Sequence, residues 1–219
     1  MNFSAVIVAA GTGQRAGAGP AKQWRDLGGK PVLRWSAEAL AKAGAHQIVV
    51  VIRPKDRALA EAALAGLEGC HFANGGVTRA RSVASGLAAL SPCDAVLIHD
   101  AARPFIPEGL IGRLLDALEG AHGAIPALPV SDTLKRQTPA GIQTTAREGL
   151  WLAQTPQAFR YQAITSAYAD TSRASEVTTD DAAVVEALGG KVVIVQGDPV
   201  LMKLTYAEDF TIARALARP

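Results

Sequence analysis

Short apolar runs alternate along this chain with stretches whose apolar residues recur at helical spacing. The runs are Ser4–Ala9, Gln47–Ile52, His71–Ala73, Ala95–His99, Gly123–Leu128 and Lys191–Gln196. The helical patterns between and after them cover Val32–Ala43, Lys55–Ala65, Arg79–Leu90, Pro107–Leu118, Asp180–Leu188 and Ala207–Ala217. Gly44, Gly66 and Gly189 close three of these patterns. Strands that are apolar throughout have no wet face, so this order predicts an α/β fold: a mainly parallel sheet with helices on both faces. Ligands of such sheets sit at the carboxyl ends of the strands. That rule puts Ala10–Arg15, Asn74–Arg79 and His99–Arg103 on one rim. At 219 residues the chain is expected to form one domain, residues 1–219, with a sizeable core.

Charge and composition narrow the function. The formal net charge of +2 is too small to imply, on its own, a surface for nucleic acid or for a membrane. There is no apolar run of transmembrane length and no basic n-region followed by an h-region, so a cytoplasmic protein is expected. Cys70 and Cys93 have neither metal-ligand nor disulfide-framework spacing and read as small buried filler. The four histidines do not pair at ligand spacing.

One segment breaks the alternation. Val130–Trp151 is polar and β-prone, with Pro139-Ala140-Gly141 at its middle. This predicts two strands around a turn. A polar ribbon is marginal alone in water, so a second subunit is the expected support.

The first apolar run ends in Ala9-Ala10-Gly11-Thr12-Gly13-Gln14-Arg15, with Lys22 shortly after. Small residues after a strand let the backbone approach a ligand, and exposed N–H groups there cradle phosphate oxygens. Arg15 and Lys22 add positive charge. The turn is not a Walker A loop, which needs Gly-Lys-Ser/Thr. It also lacks the spacing and the distal acid of the dinucleotide fingerprint, because the second strand runs into Arg53-Pro54-Lys55.

Two further clusters share that rim. Asn74-Gly75-Gly76-Val77-Thr78-Arg79-Ala80-Arg81-Ser82 opens a helix. The glycines allow flat main chain beside a planar group, and Arg79 and Ser82 suit ribose or phosphate; a plain helix cap is the alternative. His99-Asp100-Ala101-Ala102-Arg103 follows a strand. Asp100 there is placed to hold a divalent metal carried by a nucleotide, and Arg103 to fork onto a phosphate; His99 is read as loop support. Thr178 and Asp181 have capping-box spacing, and capping is their expected role. Lys203 lies in an apolar run and snorkels unless it faces the anionic rim. Cations and an acid around a small-residue turn suit phosphoryl or nucleotidyl transfer, which depends on positioning and charge neutralisation.

The ordered set of Ala9-Ala10-Gly11-x-Gly13-x-Arg15, Lys22-Gln23, Gly75-Gly76-x-x-Arg79-x-x-Ser82, His99-Asp100-Ala101-Ala102-Arg103-Pro104, Asp132-Thr133, Thr155-Pro156-Gln157 and Thr179-Asp180 resembles the 2-C-methyl-D-erythritol 4-phosphate cytidylyltransferases over nearly the whole chain. The resemblance implies a Rossmann-like nucleotidyltransferase fold and a homodimer that exchanges its β-arm, residues 130–151. The implied reaction transfers CMP from CTP to methylerythritol phosphate with Mg²⁺, in the non-mevalonate isoprenoid pathway. Ala9, Ala10, Gly11, Thr12 and Gly13 are implied to wrap the CTP phosphates, and Gly75, Gly76, Arg79, Ser82 and Ala101 to line the nucleotide site. Arg15, Lys22 and Lys203 take catalytic roles, and Asp100 the metal. Arg103, Thr133, Arg147, Thr155 and Thr179 are implied at the acceptor, Thr133 and Arg147 from the partner's arm. A cytidylyltransferase for another polyol phosphate, such as ribitol 5-phosphate, shares the CTP side of this pattern. Departures from the family pattern are Ala21 before Lys-Gln, Val77 after the glycine pair and Val200-Leu201-Met202 before Lys203.

Overall fold

The computed structural model describes residues 1–12, 19–169 and 180–217. Along the chain run β1 (Phe3–Val8), a small hairpin of β2 (Asp26–Leu27) and β3 (Lys30–Pro31), then β4 (Ile48–Ile52), β5 (Cys70–Asn74), β6 (Ala95–Asp100) and β7 (Gly123–Pro129). After these come the arm strands β8 (Leu134–Thr138) and β9 (Gly141–Thr145), then β10 (Trp151–Ala153), β11 (Gln157–Arg160) and β12 (Val192–Gln196). The main sheet has the order β5-β4-β1-β6-β11-β7, with β10 beside β11 along one edge of β7 and β12 on the other. Pairings β1–β4, β1–β6, β4–β5 and β7–β12 are parallel, whereas β10 and β11 run antiparallel to their neighbours.

Strand alternation divides the core in two. Ala5 and Ile7 of β1, Ile48 and Val50 of β4 and Leu97 of β6 face Leu33, Ala37 and Leu40 of the Val32–Lys42 helix and Leu110 and Leu114 of the Leu110–Ala117 helix. Val6, Val49, Val51, Val96 and Ile98 face the other way, onto Val83 and Leu87 of the Arg79–Ala88 helix, Ile164 and Ala167 of the Tyr161–Ala169 helix and Val184 and Val185 of the Asp181–Glu186 helix. Strands β1, β4 and β6 are buried on both faces, which is why their sequences are nearly continuously apolar. A third cluster packs Leu27 and Val32 on Leu204, Phe210 and Ala213, docking the Asp209–Leu216 helix beside the hairpin.

Gly86 lets the Arg79–Ala88 helix approach the sheet closely. A Cβ built there would lie 2.5 Å from Val6 Cγ1 and 2.8 Å from Val51 Cγ2. Gly86→Val therefore overpacks a buried face. The expected cost is about 2–3 kcal/mol, or a melting temperature lower by roughly 5–10 °C. An unchanged thermal melt contradicts this packing.

Three expected helices begin two or three residues later than their apolar pattern, among them Ala207–Ala217, which starts at Asp209. The Lys55–Ala65 pattern splits into a 3₁₀ turn, Pro54–Asp56, and the Arg57–Ala63 helix. The Pro107–Leu118 pattern starts only at Leu110, because Gly109 sits at φ 76°, outside helical space. The expected arm also shortens: Trp151 pairs with Pro129 as the start of β10 in the main sheet, and the Val130 N–H donates to the Leu150 carbonyl at its base. The arm itself is the β8–β9 ribbon, which shares no ladder with the main sheet and leaves Ile142 73% exposed. Sequence reading omitted β10, β11 and the Tyr161–Ala169 helix. Gln157-Ala158-Phe159-Arg160 is too short for a period to emerge; tertiary pairing between β6 and β7 makes it a strand.

Candidate active site

The chain leaves β1 outward to β4 and β5, then returns to β6 on the other side of β1, so the strand order reverses at the β1–β6 pair. The carboxyl end of that switch point is where a crevice is expected. Val8 is in register with Asp100, so both strands end together. Above them lies a crevice of about 360 Å³, walled by Ala9–Thr12, by Gly76–Arg79 with Ser82, by Asp100–Ala102, and by Lys22 and Lys203.

The first turn is pinned from below. Buried Gln23, in the 3₁₀ turn Lys22–Trp24, donates through Nε2 to the carbonyls of Ala9 (2.7 Å) and Gly11 (3.0 Å). This draws both carbonyl oxygens down. Lys22 Nζ donates to the Leu204 carbonyl at 2.7 Å, which brings the cation beside the Lys203 segment. Gly13 and Arg15 lie outside the described residues.

The glycine pair packs closely against its surroundings. A Cβ on Gly75 would come 2.4 Å from Ala10 Cβ, and one on Gly76 would come 2.4 Å from Arg81 Cβ. Gly75 thus lets its loop close on the first turn from behind, and Gly76 faces the crevice. Ser82 Oγ accepts from the Gly76 N–H (3.1 Å) and donates to the Thr78 carbonyl (2.9 Å), holding that loop. Thr78 caps the helix by accepting from the Arg81 N–H at 3.1 Å.

The third wall carries the charge. Asp100 accepts from Arg79 Nε on Oδ1 (3.1 Å) and from Lys203 Nζ on Oδ2 (2.6 Å). Burial alone would raise the Asp100 pKa, but the Arg79 and Lys203 charges outweigh it and hold the carboxyl well below the usual range. Lys203 therefore faces the rim instead of snorkelling away. Arg79 is not free to reach a phosphate with its whole fork, since NH1 and NH2 also clamp Asp181 at 3.0 and 2.7 Å.

His99 is fully buried on the opposite face of β6. Its Nε2–H donates to the Arg103 carbonyl at 2.8 Å, and its Nδ1 accepts from the Thr155 hydroxyl at 3.2 Å; that hydroxyl accepts from the Asp100 N–H at 3.1 Å. Burial lowers its pKa from 6.5 to about 4. The imidazole is a neutral strut, in keeping with loop support. The unfolded chain binds one more proton than the native one between these two values, so stability falls as pH drops through that window. At about 1.4 kcal/mol per unit, the loss approaches roughly 3 kcal/mol near pH 4. Urea midpoints at pH 7 and at about pH 4.5 check this. The shift between them should shrink in His99→Gln, which preserves one donor and one acceptor.

Several residues expected at the acceptor do not line this crevice. Thr155 is only 5% exposed and its hydroxyl is engaged by Asp100 and His99, so it positions the wall and does not face the crevice. Arg103 reaches back to the carbonyls of Leu201 (2.5 Å) and Ala153 (3.5 Å), and burial lowers its pKa. It ties down the strap that carries Lys203. Thr133 and Arg147 are exposed at the base of the arm, where Arg147 NH1 donates to the Ser131 carbonyl; they do not line their own chain's crevice. Thr178 and Thr179 lie outside the described residues. The N-cap of the Asp181 helix is Asp180, which accepts from the Ala183 N–H at 3.1 Å, so the expected capping role of Asp181 is replaced by its Arg79 bond.

Among the described residues, no group of three or more His, Cys, Asp or Glu could hold a metal. Among the described residues that line the crevice, only Asp100 offers a carboxylate. Magnesium commonly binds through one or two carboxylates plus substrate phosphates, so the wall fits a cation brought by a nucleotide but not an all-protein cage.

Residues 3–218 match the family model described as 2-C-methyl-D-erythritol 4-phosphate cytidylyltransferase. A Caulobacter vibrioides protein named "Bifunctional enzyme IspD/IspF" is 54% identical over 221 residues, covering 99% of this chain and 57% of that protein. The chain therefore spans little more than half the length of that relative. A Cereibacter sphaeroides protein named for the cytidylyltransferase alone is 46% identical over 99% of this chain and 97% of its own length. The crystal structure of the Thermus thermophilus cytidylyltransferase superposes with a TM-score of 0.80 at 36% identity, covering both chains fully.

Proposed function

Since the chain belongs to the 2-C-methyl-D-erythritol 4-phosphate cytidylyltransferase family, we propose that it transfers the CMP unit of CTP to 2-C-methyl-D-erythritol 4-phosphate, releasing pyrophosphate. The observation that carries this reading is the convergence of Lys22, Lys203 and Asp100 on a crevice also lined by the small residues Ala9–Thr12 and Gly76. Main-chain N–H groups and fixed cations are what a triphosphate needs, and nucleotidyl transfer needs little else.

In this reading the monoester phosphate oxygen of the acceptor attacks the α-phosphorus of CTP. The bond from that phosphorus to the β-phosphate bridging oxygen breaks in line, and pyrophosphate leaves. The attacking oxygen is already anionic near neutral pH, so no strong base is required. Lys22 and Arg15 neutralise charge building at the α-phosphate, and Lys203 steers the incoming phosphate. Gly76 and Ser82 border the nucleoside side. We assign Mg²⁺ to Asp100 together with the nucleotide; when bound it supplies Lewis-acid neutralisation of the triphosphate.

Thr133 and Arg147 serve the acceptor only if a second copy lends its arm, and the isolated β8–β9 ribbon with its exposed Ile142 supports such an exchange. A dimer mass by light scattering and lost turnover in Arg147→Ala would agree with it. No helix among the described residues is long and apolar enough to cross a membrane, and we place the enzyme in the cytoplasm. Pyrophosphate release from CTP with methylerythritol phosphate tests the proposal, with UTP and ribitol 5-phosphate as controls. Release with ribitol phosphate alone, or no release, overturns it.

A further inference from the structure

Asp181 is wholly buried, yet it is bound to a side chain that lines the crevice. Its carboxylate takes both terminal nitrogens of Arg79, at 3.0 and 2.7 Å, and also accepts from the Tyr168 hydroxyl at 2.6 Å. Arg79 turns its remaining nitrogen, Nε, to Asp100 Oδ1 at 3.1 Å. The three partners come from three helices, which begin at Arg79, Tyr161 and Asp181, and the end of the relay is the crevice carboxylate at the tip of β6. A planar fork held at two points by a carboxylate has its third donor direction fixed as well.

We propose that Tyr168 and Asp181 are positioning residues of the nucleotide site: through the Arg79 guanidinium they set the orientation of the Asp100 carboxylate. This rests on the proposed function, since Asp100 matters only if the crevice takes a nucleotide with its metal. Lys203 reaches Asp100 from the solvent side and is 41% exposed, so Arg79 is the rigid member of the pair that flanks this carboxylate. Removing the buried anchor leaves Arg79 able to rotate, and Asp100 turns with it.

The test is calorimetric binding of CTP with magnesium, beside steady-state kinetics and thermal melts, on the full chain. Asp181→Asn keeps the shape and loses the charge. Its affinity for CTP with magnesium should fall about 10–100-fold, as for outer partners of metal-holding groups, with KM for the acceptor little changed. Arg79→Lys, which keeps charge without the fork, should lose as much, and the double variant should be no worse than either single one. Tyr168→Phe should lose only about threefold. A folded Asp181→Asn that binds CTP like wild type overturns the proposal, as do single losses that multiply in the double variant. If Asp181→Asn does not fold, Tyr168→Phe decides: a lower melting temperature with unaltered CTP affinity overturns it. A wild-type chain that binds no CTP defeats the functional reading itself.

Discussion

Lys22→Met should lower kcat for CMP transfer by about two to three orders of magnitude while KM for CTP rises far less. The reasoning starts from how firmly the ammonium is placed. Lys22 opens a 3₁₀ turn whose next residue, Gln23, is hydrogen-bonded to the first turn at Ala9 and Gly11, so the cation and this crevice-lining segment form one unit. Nζ is further held by the Leu204 carbonyl at 2.7 Å. A charge fixed in advance costs no reorganisation when the pentavalent phosphorus gathers negative charge, and such groups act mainly on the transition state. Ground-state CTP keeps the other cations and the backbone N–H groups, so its binding suffers less. Steady-state kinetics on both substrates separate the cases. A variant with raised KM and intact kcat would show that Lys22 only helps CTP to bind.

The sheet was readable because its strands are buried on two faces. Ile48–Ile52 and Ala95–Ile98 have no polar interruption, and only a covered parallel sheet suits such runs. Rim residues followed from the same logic: an Asp or a glycine turn directly after a buried strand must emerge at its carboxyl end. Local sequence does not encode what a side chain meets across the fold. Arg79 was visible as a cation on a first helical turn, but its partner Asp181 is 102 positions away and looked like half of a helix cap. Thr155 belonged to a recognisable tripeptide, yet the register that buries it beneath Asp100 arises from antiparallel pairing of a four-residue strand without period. Gly75 signalled close approach, and the neighbour that a side chain there would meet is Ala10. Gln23 carried one signal, a polar side chain just after a turn with carbonyls to satisfy, and it is the residue that fixes the first wall.

Asp100→Asn separates nucleotide binding from turnover. Both carboxylate oxygens are engaged, Oδ1 by Arg79 and Oδ2 by Lys203, so the group neutralises part of the crevice's positive charge. Replacing it with an amide keeps the volume and raises the net charge of the wall by one unit. Arg79 remains clamped by Asp181, and Lys203 is exposed enough to hydrate, so the fold should hold. CTP without magnesium should then bind the variant as well as wild type or more tightly, since an anion meets less repulsion. Turnover with magnesium should nevertheless fall by about a thousandfold, roughly 4 kcal/mol of transition-state stabilisation, because the ionised donor for the metal is gone. Binding is kept or strengthened while turnover falls, which a merely damaged site cannot reproduce. Calorimetry with CTP in chelator and pyrophosphate release over a magnesium titration measure them. Variant turnover within about tenfold of wild type at saturating magnesium would remove Asp100 from the metal site and leave it as a counter-ion for Arg79 and Lys203.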